Sequence, residues 1–318
     1  DQIISVTSAP QSGYSTRKMN AGLIRNRGVE LSLGGMPVST KNWKWEMNFN
    51  IAKNSNKLVE LADGVDSYSI YWTSFTTRLY NYAMVGKSLG VITGNTWERD
   101  DNGNIIFHEL SASQKALYGG EYVPTYNQNT LDELGNFHPD FTGGFNTSIS
   151  FKNFRLSANI DFSVGGQIVS YTNMWGSSSG ILDKTAELND RGVNVREPVS
   201  KGGGIHMTGV DQNGNKVDTY VNAKLYYTTA SRVWEEWVYD RTYVKLREVS
   251  LSYVFPSQTL KKLNIGLSRA SVAINASNPW LIYSACPNVD VSEIGMGYFE
   301  GGNAAATRSI GFTVNLAF

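Results

Sequence analysis

The last ten residues of the chain alternate strictly between apolar and small or polar side chains, and the chain ends on an aromatic residue. Because successive side chains of a β-strand point to opposite faces, every apolar residue of this segment falls on one face. These residues are Ile310, Phe312, Val314, Leu316 and Phe318. Such a strand suits a sheet with lipid on one side and water on the other. A strand of a soluble β-sandwich would show a similar pattern, so the segment alone leaves both structures open.

Composition restricts the class of protein further. The chain has 318 residues, 28 Lys plus Arg, 28 Asp plus Glu and a mean hydropathy of -0.28. Hydropathy alone would indicate a soluble protein, but in a membrane barrel each lumen-facing residue dilutes a lipid-facing one. No stretch approaches the ~18 apolar residues that a membrane-spanning helix needs. The balanced charge argues against nucleic-acid binding, and 31 glycines with 12% aromatic residues predict an all-β chain with many turns.

Two segments have the pattern of long antiparallel hairpins. The first covers residues 28–52, with a turn predicted around 34–37, and the second covers residues 145–163, with a tight turn at 152–153. In both hairpins the apolar side chains share one face and the charged side chains share the other. Ten strand residues at about 3.3 Å each, tilted by roughly 40°, span on the order of 25 Å, which is the height of the apolar band of an outer-membrane barrel.

Long stretches rich in Gly, Asn, Ser and Tyr separate the predicted strands, and we expect them to be irregular. They cover residues 53–82, 95–140 and 165–240. Loops longer than ~15 residues are unusual in compact soluble domains but are expected on the extracellular side of an outer-membrane barrel. Further strands are predicted at 243–255 and 271–283, for a total of roughly eight to ten. The apolar phase of the first changes near Arg247, which predicts a β-bulge.

Four segments carry a resemblance to a known family. They are Asn-Arg-Gly-Val-Glu-Leu-Ser-Leu at 26–33, Asn-Ser-Asn-Lys-Leu-Val-Glu-Leu at 54–61, Arg-Thr-Tyr-Val-Lys-Leu-Arg-Glu-Val-Ser-Leu-Ser-Tyr at 241–253 with Pro256, and Asn-Ala-Ser-Asn-Pro-Trp-Leu at 275–281. On these motifs the chain resembles the SusC/RagA-like TonB-dependent transporters of Gram-negative gut and oral bacteria over essentially its whole length. The Tyr-Val-Lys-Leu-Arg-Glu sequence is the most specific of the motifs.

The resemblance implies a fold class. It implies an all-β, antiparallel transmembrane β-barrel of roughly 22 strands with long extracellular loops, of which residues 1–318 would form the C-terminal part. Family members also carry an N-terminal plug and an energy-coupling box, and this sequence contains neither. We therefore expect a C-terminal portion of a longer transporter. The chain departs from the family at 287–293, where many members carry an Asp-Pro-Glu triplet.

The resemblance also implies a function and partners. It implies import of oligosaccharides or peptides across the Gram-negative outer membrane, and not catalysis. A SusD-like surface lipoprotein would cover the transporter, and the TonB complex would supply energy through the absent N-terminal part. Two alternatives stay open: a small self-contained outer-membrane barrel acting as an adhesin, and a secreted carbohydrate-binding β-sandwich. The sequence does not distinguish glycan from peptide as the substrate.

Neither a catalytic nor a metal-binding arrangement is evident in the sequence. The three histidines lack partners at metal-ligand spacing, and Cys286 is a lone cysteine without a neighbouring histidine. The segments 100–104 and 211–215, in which Asp and amide side chains cluster, resemble calcium loops, but both contain Asn-Gly, which is a strong hairpin-turn signal. We therefore predict turns at both segments, and we expect no cofactor and no metal.

Aromatic side chains in the long stretches are the candidate binding residues. Flat rings stack on sugar faces or receive peptide side chains, and Tyr and Trp are frequent at the centres of protein interfaces. A single loop aromatic more often packs within its own loop, so the prediction depends on clustering. The predicted substrate or partner contacts are Tyr71, Trp72, Trp175, Trp234 and Trp237.

Overall fold

The structure is a computed structural model that describes residues 3–7, 11, 13–14, 16–20, 22–62, 64–73, 77–263, 266–294, 299–302 and 306–318. In the described part the chain is mainly β-strand, arranged in five sheets. The first ten strands are β1 (Ile3–Thr7), β2 (Thr16–Asn20), β3 (Leu23–Ser39), β4 (Trp43–Glu60), β5 (Ser67–Thr73), β6 (Leu79–Met84), β7 (Val91–Gly94), β8 (Ile106–Glu109), β9 (Tyr122–Pro124) and β10 (Asp132–Asn136).

The second half of the chain continues in the same way. Its strands are β11 (Phe141–Phe151), β12 (Phe154–Val164), β13 (Gln167–Ser170), β14 (Ile205–Asp211), β15 (Lys216–Val221), β16 (Val238–Asp240), β17 (Tyr243–Val254), β18 (Arg269–Ser284), β19 (Phe299–Glu300) and β20 (Ser309–Ala317). The α-helices are α1 (Ala112–Tyr118), α2 (Tyr171–Ser178), α3 (Ala223–Ala230) and α4 (Ser257–Leu263). Across the described residues, no helix combines the length and the apolar character needed to cross a membrane.

Seven long strands form one antiparallel sheet, which we call the wall. Its strand order is β20-β18-β17-β12-β11-β4-β3, so three of the six neighbouring pairs are consecutive strands and the other three are separated in sequence by strands of other sheets. Among the described strands, β3 and β20 each pair on one side only and form the two edges of the wall. The predicted antiparallel β-structure is confirmed for the wall, while two pairs of short strands elsewhere, β13 with β19 and β14 with β8, are parallel.

The two faces of the wall differ in chemistry along rows that cross the strands. One row joins six strands through directly paired apolar residues: Trp45, Ile149, Leu156, Leu251, Ile274 and Phe312. The adjacent row, which lies on the opposite face, consists of Glu46, Ser148, Ser157, Ser250, Asn275 and Gly311. The alternation predicted for the hairpins therefore continues from strand to strand. We call these faces the apolar face and the polar face of the wall.

A β-bulge keeps the apolar face continuous in β17. Leu246 pairs with Ile160 and Glu248 pairs with Asn159, so Arg247 is an extra residue without a counterpart on β12. One additional residue exchanges the faces on which the following side chains lie. The apolar residues after the bulge therefore lie on the same face as those before it. The bulge predicted near Arg247 is confirmed, and it explains the change of phase in the sequence.

At one end of the wall the connections are two short turns and residues 255–268, which include α4, whereas the connections at the other end are longer. The turn at 152–153 is confirmed, and Lys152 adopts a left-handed conformation with φ 52°. The turn predicted around 34–37 is wrong, because β3 continues to Ser39 with a register shift between Gly35 and Val38. The chain reverses just afterwards, where the Trp43 N–H donates to Thr40 Oγ1 at 3.0 Å.

The long connections are folded, so the prediction of irregular stretches is wrong. Residues 53–60 extend β4, and the connections contain a sheet of order β10-β7-β6-β5, a sheet of order β15-β14-β8-β9 and a sheet of order β16-β13-β19. Their strands are short, and β7 is buried at all four positions, so it shows no alternation between apolar and polar residues. A pattern of period two could not reveal strands of this kind.

Gly143 provides a test of packing on the apolar face. A Cβ atom at this position would lie 2.5 Å from Phe162 Cζ and 2.3 Å from the Asn50 carbonyl oxygen, whereas a Cβ at Gly311 would meet nothing within 4 Å. We expect Gly143→Ala to destabilise the protein by about 1 to 3 kcal/mol, because the ring and the strand must move apart. Gly311→Ala is the matched control. Thermal unfolding checks this, and equal midpoints for the two variants would contradict it.

Candidate functional site

The five predicted aromatic residues fall into two groups. Tyr71, Trp72 and Trp175 are 40%, 59% and 43% exposed, whereas Trp234 and Trp237 are 0% and 1% exposed. The surface exposure that the prediction assumed is therefore wrong for the last two residues. Binding by the three exposed residues stays a prediction.

Trp234 and Trp237 are buried because the long connections have a hydrophobic core of their own. The two indoles belong to a buried cluster that includes Val169 and Met174, which are 0% exposed. Trp237 Nε1 donates to the carbonyl oxygen of Ala230 at 2.7 Å, which fixes the turn after α3. Both residues are therefore part of the hydrophobic core of the long connections and do not lie on their surface.

Two carboxylates between these tryptophans connect distant parts of the chain. Arg99 binds Glu235 with two hydrogen bonds of 2.8 and 2.9 Å. Trp97 Nε1 donates to Glu236 at 2.6 Å, and the Tyr226 hydroxyl donates to the same carboxylate at 3.2 Å. Burial, and then the charge of Glu236, raise the pKa of Tyr226, so its hydroxyl stays protonated and can donate. These contacts hold the connection around residues 97–99 against the turn that follows α3.

A pocket of about 400 Å³ opens beside Trp175. Its described lining consists of Tyr171, Thr172, Trp175, Gly176, Ser179, Ile181, Leu182, Phe299, Gly301 and Gly302. Glu300, which is 3% exposed, lies in β19 close to the start of α2 and accepts hydrogen bonds from Ser170 Oγ at 2.7 Å and from the Thr172 N–H at 3.1 Å. These bonds join β19 to the start of α2.

The structure brings Tyr71 next to this pocket. The Tyr71 ring lies 4.9 Å from the Phe299 ring, and the Phe299 ring lies 5.0 Å from the Tyr171 ring. Trp72 instead packs on Tyr80, with ring centroids 6.4 Å apart. Tyr71 and Trp175 therefore belong to one aromatic region, and Trp72 is adjacent to it in sequence.

A charged cluster on the polar face was missed by sequence reasoning. Lys245, which is 2% exposed at its side chain, donates to Asp290 at 2.7 Å and to Glu293 at 2.6 Å. Arg247, placed by the bulge, binds Asp161 with two hydrogen bonds of 2.9 and 3.0 Å and also pairs with Glu293. The cluster attaches the segment that follows β18 to the wall. The only signal in the sequence for this cluster was the Lys-Leu-Arg motif at the point where the apolar alternation of the strand changes phase.

The cluster also sets the protonation of its acids. Burial raises the pKa of Asp290, but hydrogen bonds from Lys245 and Ser292 outweigh this effect and leave it below its ordinary value. The hydrogen bond from Lys245 is the main cause of the lowered pKa of Glu293. Both acids therefore stay ionised at neutral pH and match the two cations.

The remaining candidates have structural roles. Asp100 Oδ1 accepts the N–H groups of Asn102 and Asn104, and Asp211 forms the same turn with the residues that follow it. Cys286 is 1% exposed, and burial raises the pKa of its thiol to about 12, which makes it unreactive at neutral pH. Over the residues that the structure describes, no group of three or more His, Cys, Asp or Glu side chains could hold a metal ion.

The charged cluster predicts how the segment after β18 responds to mutation and acid. Lys245→Met leaves the buried end of the cluster with Asp290 lacking its cation and Glu293 paired only with Arg247, and we expect the local stability of residues 290–293 to fall by about 2 kcal/mol. Because the pKa values of the acids are lowered by folding, the stabilisation is present above pH ~4 and is lost as the pH falls below it. Hydrogen exchange of these amides at pH 7 and pH 3 measures both effects.

Lys44→Met is the matched control for this prediction. Lys44 pairs with Glu46 at 2.6 Å, but the side chains are 49% and 37% exposed, so removing this pair should change little. Protection of residues 290–293 that is equal in the two variants would contradict a stabilising role for the cluster.

Curated proteins with similar sequences are TonB-dependent receptors. TonB-dependent receptor P3 of Formosa agariphila is 27% identical over 287 residues, which cover 88% of this chain and 26% of that protein. TonB-dependent receptor SusC of Bacteroides thetaiotaomicron is 38% identical over 157 residues, which cover 47% of this chain and 15% of that protein. The chain therefore spans less than a third of the length of these relatives. No protein-family model matches the chain.

Solved structures share the fold. The RagAB peptide importer in its closed-closed state matches 100% of this chain and 32% of its own chain, with a TM-score of 0.68 and 18% identity. The two relatives are receptors and the solved structure is a peptide importer. These similarities confirm the resemblance of this chain to SusC/RagA-like TonB-dependent transporters that the sequence motifs predict.

Proposed function

We propose that residues 1–318 form the C-terminal part of the transmembrane barrel of a TonB-dependent outer-membrane importer. The observation that carries the proposal is the continuous apolar face of the wall. Along one row of that face, Leu156, Leu251, Ile274 and Phe312 are 45%, 48%, 54% and 67% exposed. A row of this kind exposed to water would be costly, whereas lipid would cover it at no cost.

The same face argues against a secreted β-sandwich. In a sandwich, a second sheet covers the apolar face of the first and buries it. The hydrophobic clusters found in the described part of the chain lie in the long connections and at the loop end of the wall, and they contain no residue of the exposed apolar row. Lipid is the covering that fits an apolar face on one side and a polar face on the other.

The edges of the wall favour a larger barrel over a small self-contained one. The described strands leave one side of β3 and one side of β20 without a partner, and an open edge in hydrocarbon leaves backbone groups without hydrogen bonds. Further strands of a barrel of roughly 22 would satisfy both edges. A plug and an energy-coupling box would belong to the same longer protein.

The polar face and the long connections suit an importer. Polar and charged side chains from β4, β11, β12 and β17 surround a concavity of about 380 Å³ on the polar face, among them Glu46, Asn48, Arg155, Asn159 and Glu248. We propose that this face lines the lumen and that the long connections are extracellular. The substrate would be an oligosaccharide or a peptide, a SusD-like lipoprotein would cover the mouth, and TonB would supply energy.

Opposite faces of β4 should respond differently to charge. We expect Phe49→Arg, on the apolar face, to cost about 2 to 4 kcal/mol, because the cation would sit in lipid near the midplane. Asn48→Arg, one residue earlier and facing the lumen, should cost little. The amount of heat-resistant protein in outer-membrane fractions, made from the whole natural gene, measures the difference. Equal loss in both variants would overturn the proposed orientation.

Exposed aromatic residues at the mouth should contribute to lid binding. Tyr71 and Trp72 lie on β5 in a long connection, and large aromatic side chains at the centre of an interface often cost more than about 1 kcal/mol on truncation. We expect the double variant Tyr71→Ala, Trp72→Ala to reduce co-purification of a SusD-like lipoprotein while the barrel stays inserted. Leu117→Ala, at an exposed residue of α1, is the control. Undiminished co-purification would exclude this surface from lid binding.

A further inference from the structure

We propose that the pocket beside Trp175 receives one apolar side chain of a peptide substrate, an inference that rests on the proposed import function. Carbon atoms dominate its walls, which Trp175, Ile181, Leu182 and Phe299 provide around the ring of Tyr171. Among the described residues of the lining, none carries a charge. Such a surface gains free energy by covering an alkyl or aromatic group.

The hydrogen-bonding groups of the pocket are largely used within the protein. The Thr172 hydroxyl donates to Glu300, and Glu300 is buried beneath it. The Ile181 N–H donates to the carbonyl oxygen of Gly176 at 2.9 Å, and the Ser179 N–H donates to that of Trp175 at 2.9 Å. A sugar ring carries hydroxyl groups around its edge, and each one buried without a partner would cost free energy. The chemistry of the pocket therefore favours a peptide side chain over a sugar.

Two glycines allow the walls of the pocket to pack closely against each other. A Cβ atom on Gly176 would lie 2.7 Å from Leu182 Cγ, and one on Gly301 would lie 3.1 Å from Phe299 Cε2. With a volume of about 400 Å³, the pocket is near the small end of ligand sites, so it suits a side chain and not a folded partner. Its mouth is accessible, because Trp175 is 43% exposed and Ile181 is 77% exposed.

The floor of the pocket is held in place before any ligand arrives. The Tyr171 ring packs edge-on against Trp234 at 5.0 Å and against Phe299 at 5.0 Å. Trp234 is fully buried, so it can act as a positioning residue for Tyr171. A preformed pocket loses less entropy on binding, which favours selection of a side chain by fit.

A second apolar position adjoins the pocket. The Tyr71 ring contacts Phe299 at 4.9 Å and is 40% exposed, so Phe299 lies between the Tyr71 ring and the pocket. An extended peptide that places one side chain in the pocket can lay a neighbouring apolar side chain against Tyr71. We therefore expect the pocket to determine most of the preference for an apolar side chain. Tyr71 should add a smaller preference for an apolar side chain at the neighbouring position of the peptide.

Calorimetry on the whole transporter, purified with its lid, tests the pocket. The probes are the tetrapeptides Gly-Gly-Leu-Gly and Gly-Gly-Ser-Gly, and maltotetraose. We expect the natural protein to bind the leucine peptide about 10-fold more tightly than the serine peptide. Ile181→Asp, which places a charge at the mouth, should abolish that preference, and Trp175→Ala should reduce it. Leu188→Asp, at an exposed residue outside the pocket, is the control and should preserve it.

The outcomes separate the inference from the proposed function. Equal affinity for the two peptides, or an unchanged preference in Ile181→Asp and Trp175→Ala, would overturn the inference and leave import standing. Tighter binding of maltotetraose that Trp175→Ala weakens would overturn it in favour of a sugar site. Failure of cells that carry the protein to take up labelled peptides and oligosaccharides would overturn the proposed function, and the inference with it.

Discussion

The hydrogen-bonded ladder of the wall is the constraint on which the other features depend. Register decides which face each side chain occupies, and a slip of one residue would exchange the apolar and polar faces of a strand. In β17 that exchange is prevented by a single extra residue, Arg247. The bulge keeps Leu251 opposite Leu156 on the apolar face, and it also directs the Arg247 guanidinium to Asp161. The same bulge therefore keeps the apolar face continuous and helps to attach the segment after β18 to the wall.

The strands of the wall were predicted well from the sequence because they are long and because one face of each strand is apolar and the other is polar. The tight turn at 152–153 and the bulge near Arg247 followed from the alternation alone. The turn at 34–37 was misplaced because Gly-Gly-Met-Pro reads as a turn, although neither Gly34 nor Gly35 adopts a positive φ. In the structure these residues stay extended, and a shift of register accommodates Pro37, which cannot donate to the ladder.

The candidate site was only partly predictable, because burial in the long connections is a tertiary property. Composition drew attention to tryptophans without showing that Trp234 and Trp237 would fill a core while Trp175 stayed exposed. The pocket depends on Phe299, which lies more than one hundred residues after Trp175 in sequence. The partners of Lys245 are likewise 45 and 48 residues away. Contacts of this range leave no periodic signal in the chain.

The division between wall and connections has a consequence for how such a protein can change over evolutionary time. Each long connection begins and ends on strands of the wall, and three of the sheets lie wholly within the connections. Insertions or replacements there alter the surface that the connections form without disturbing the register of the strands that carry them. The two short turns at the opposite end, at 40–42 and 152–153, offer no comparable freedom, because each one fixes a register. Sequence changes can therefore accumulate in the long connections while the wall keeps its architecture.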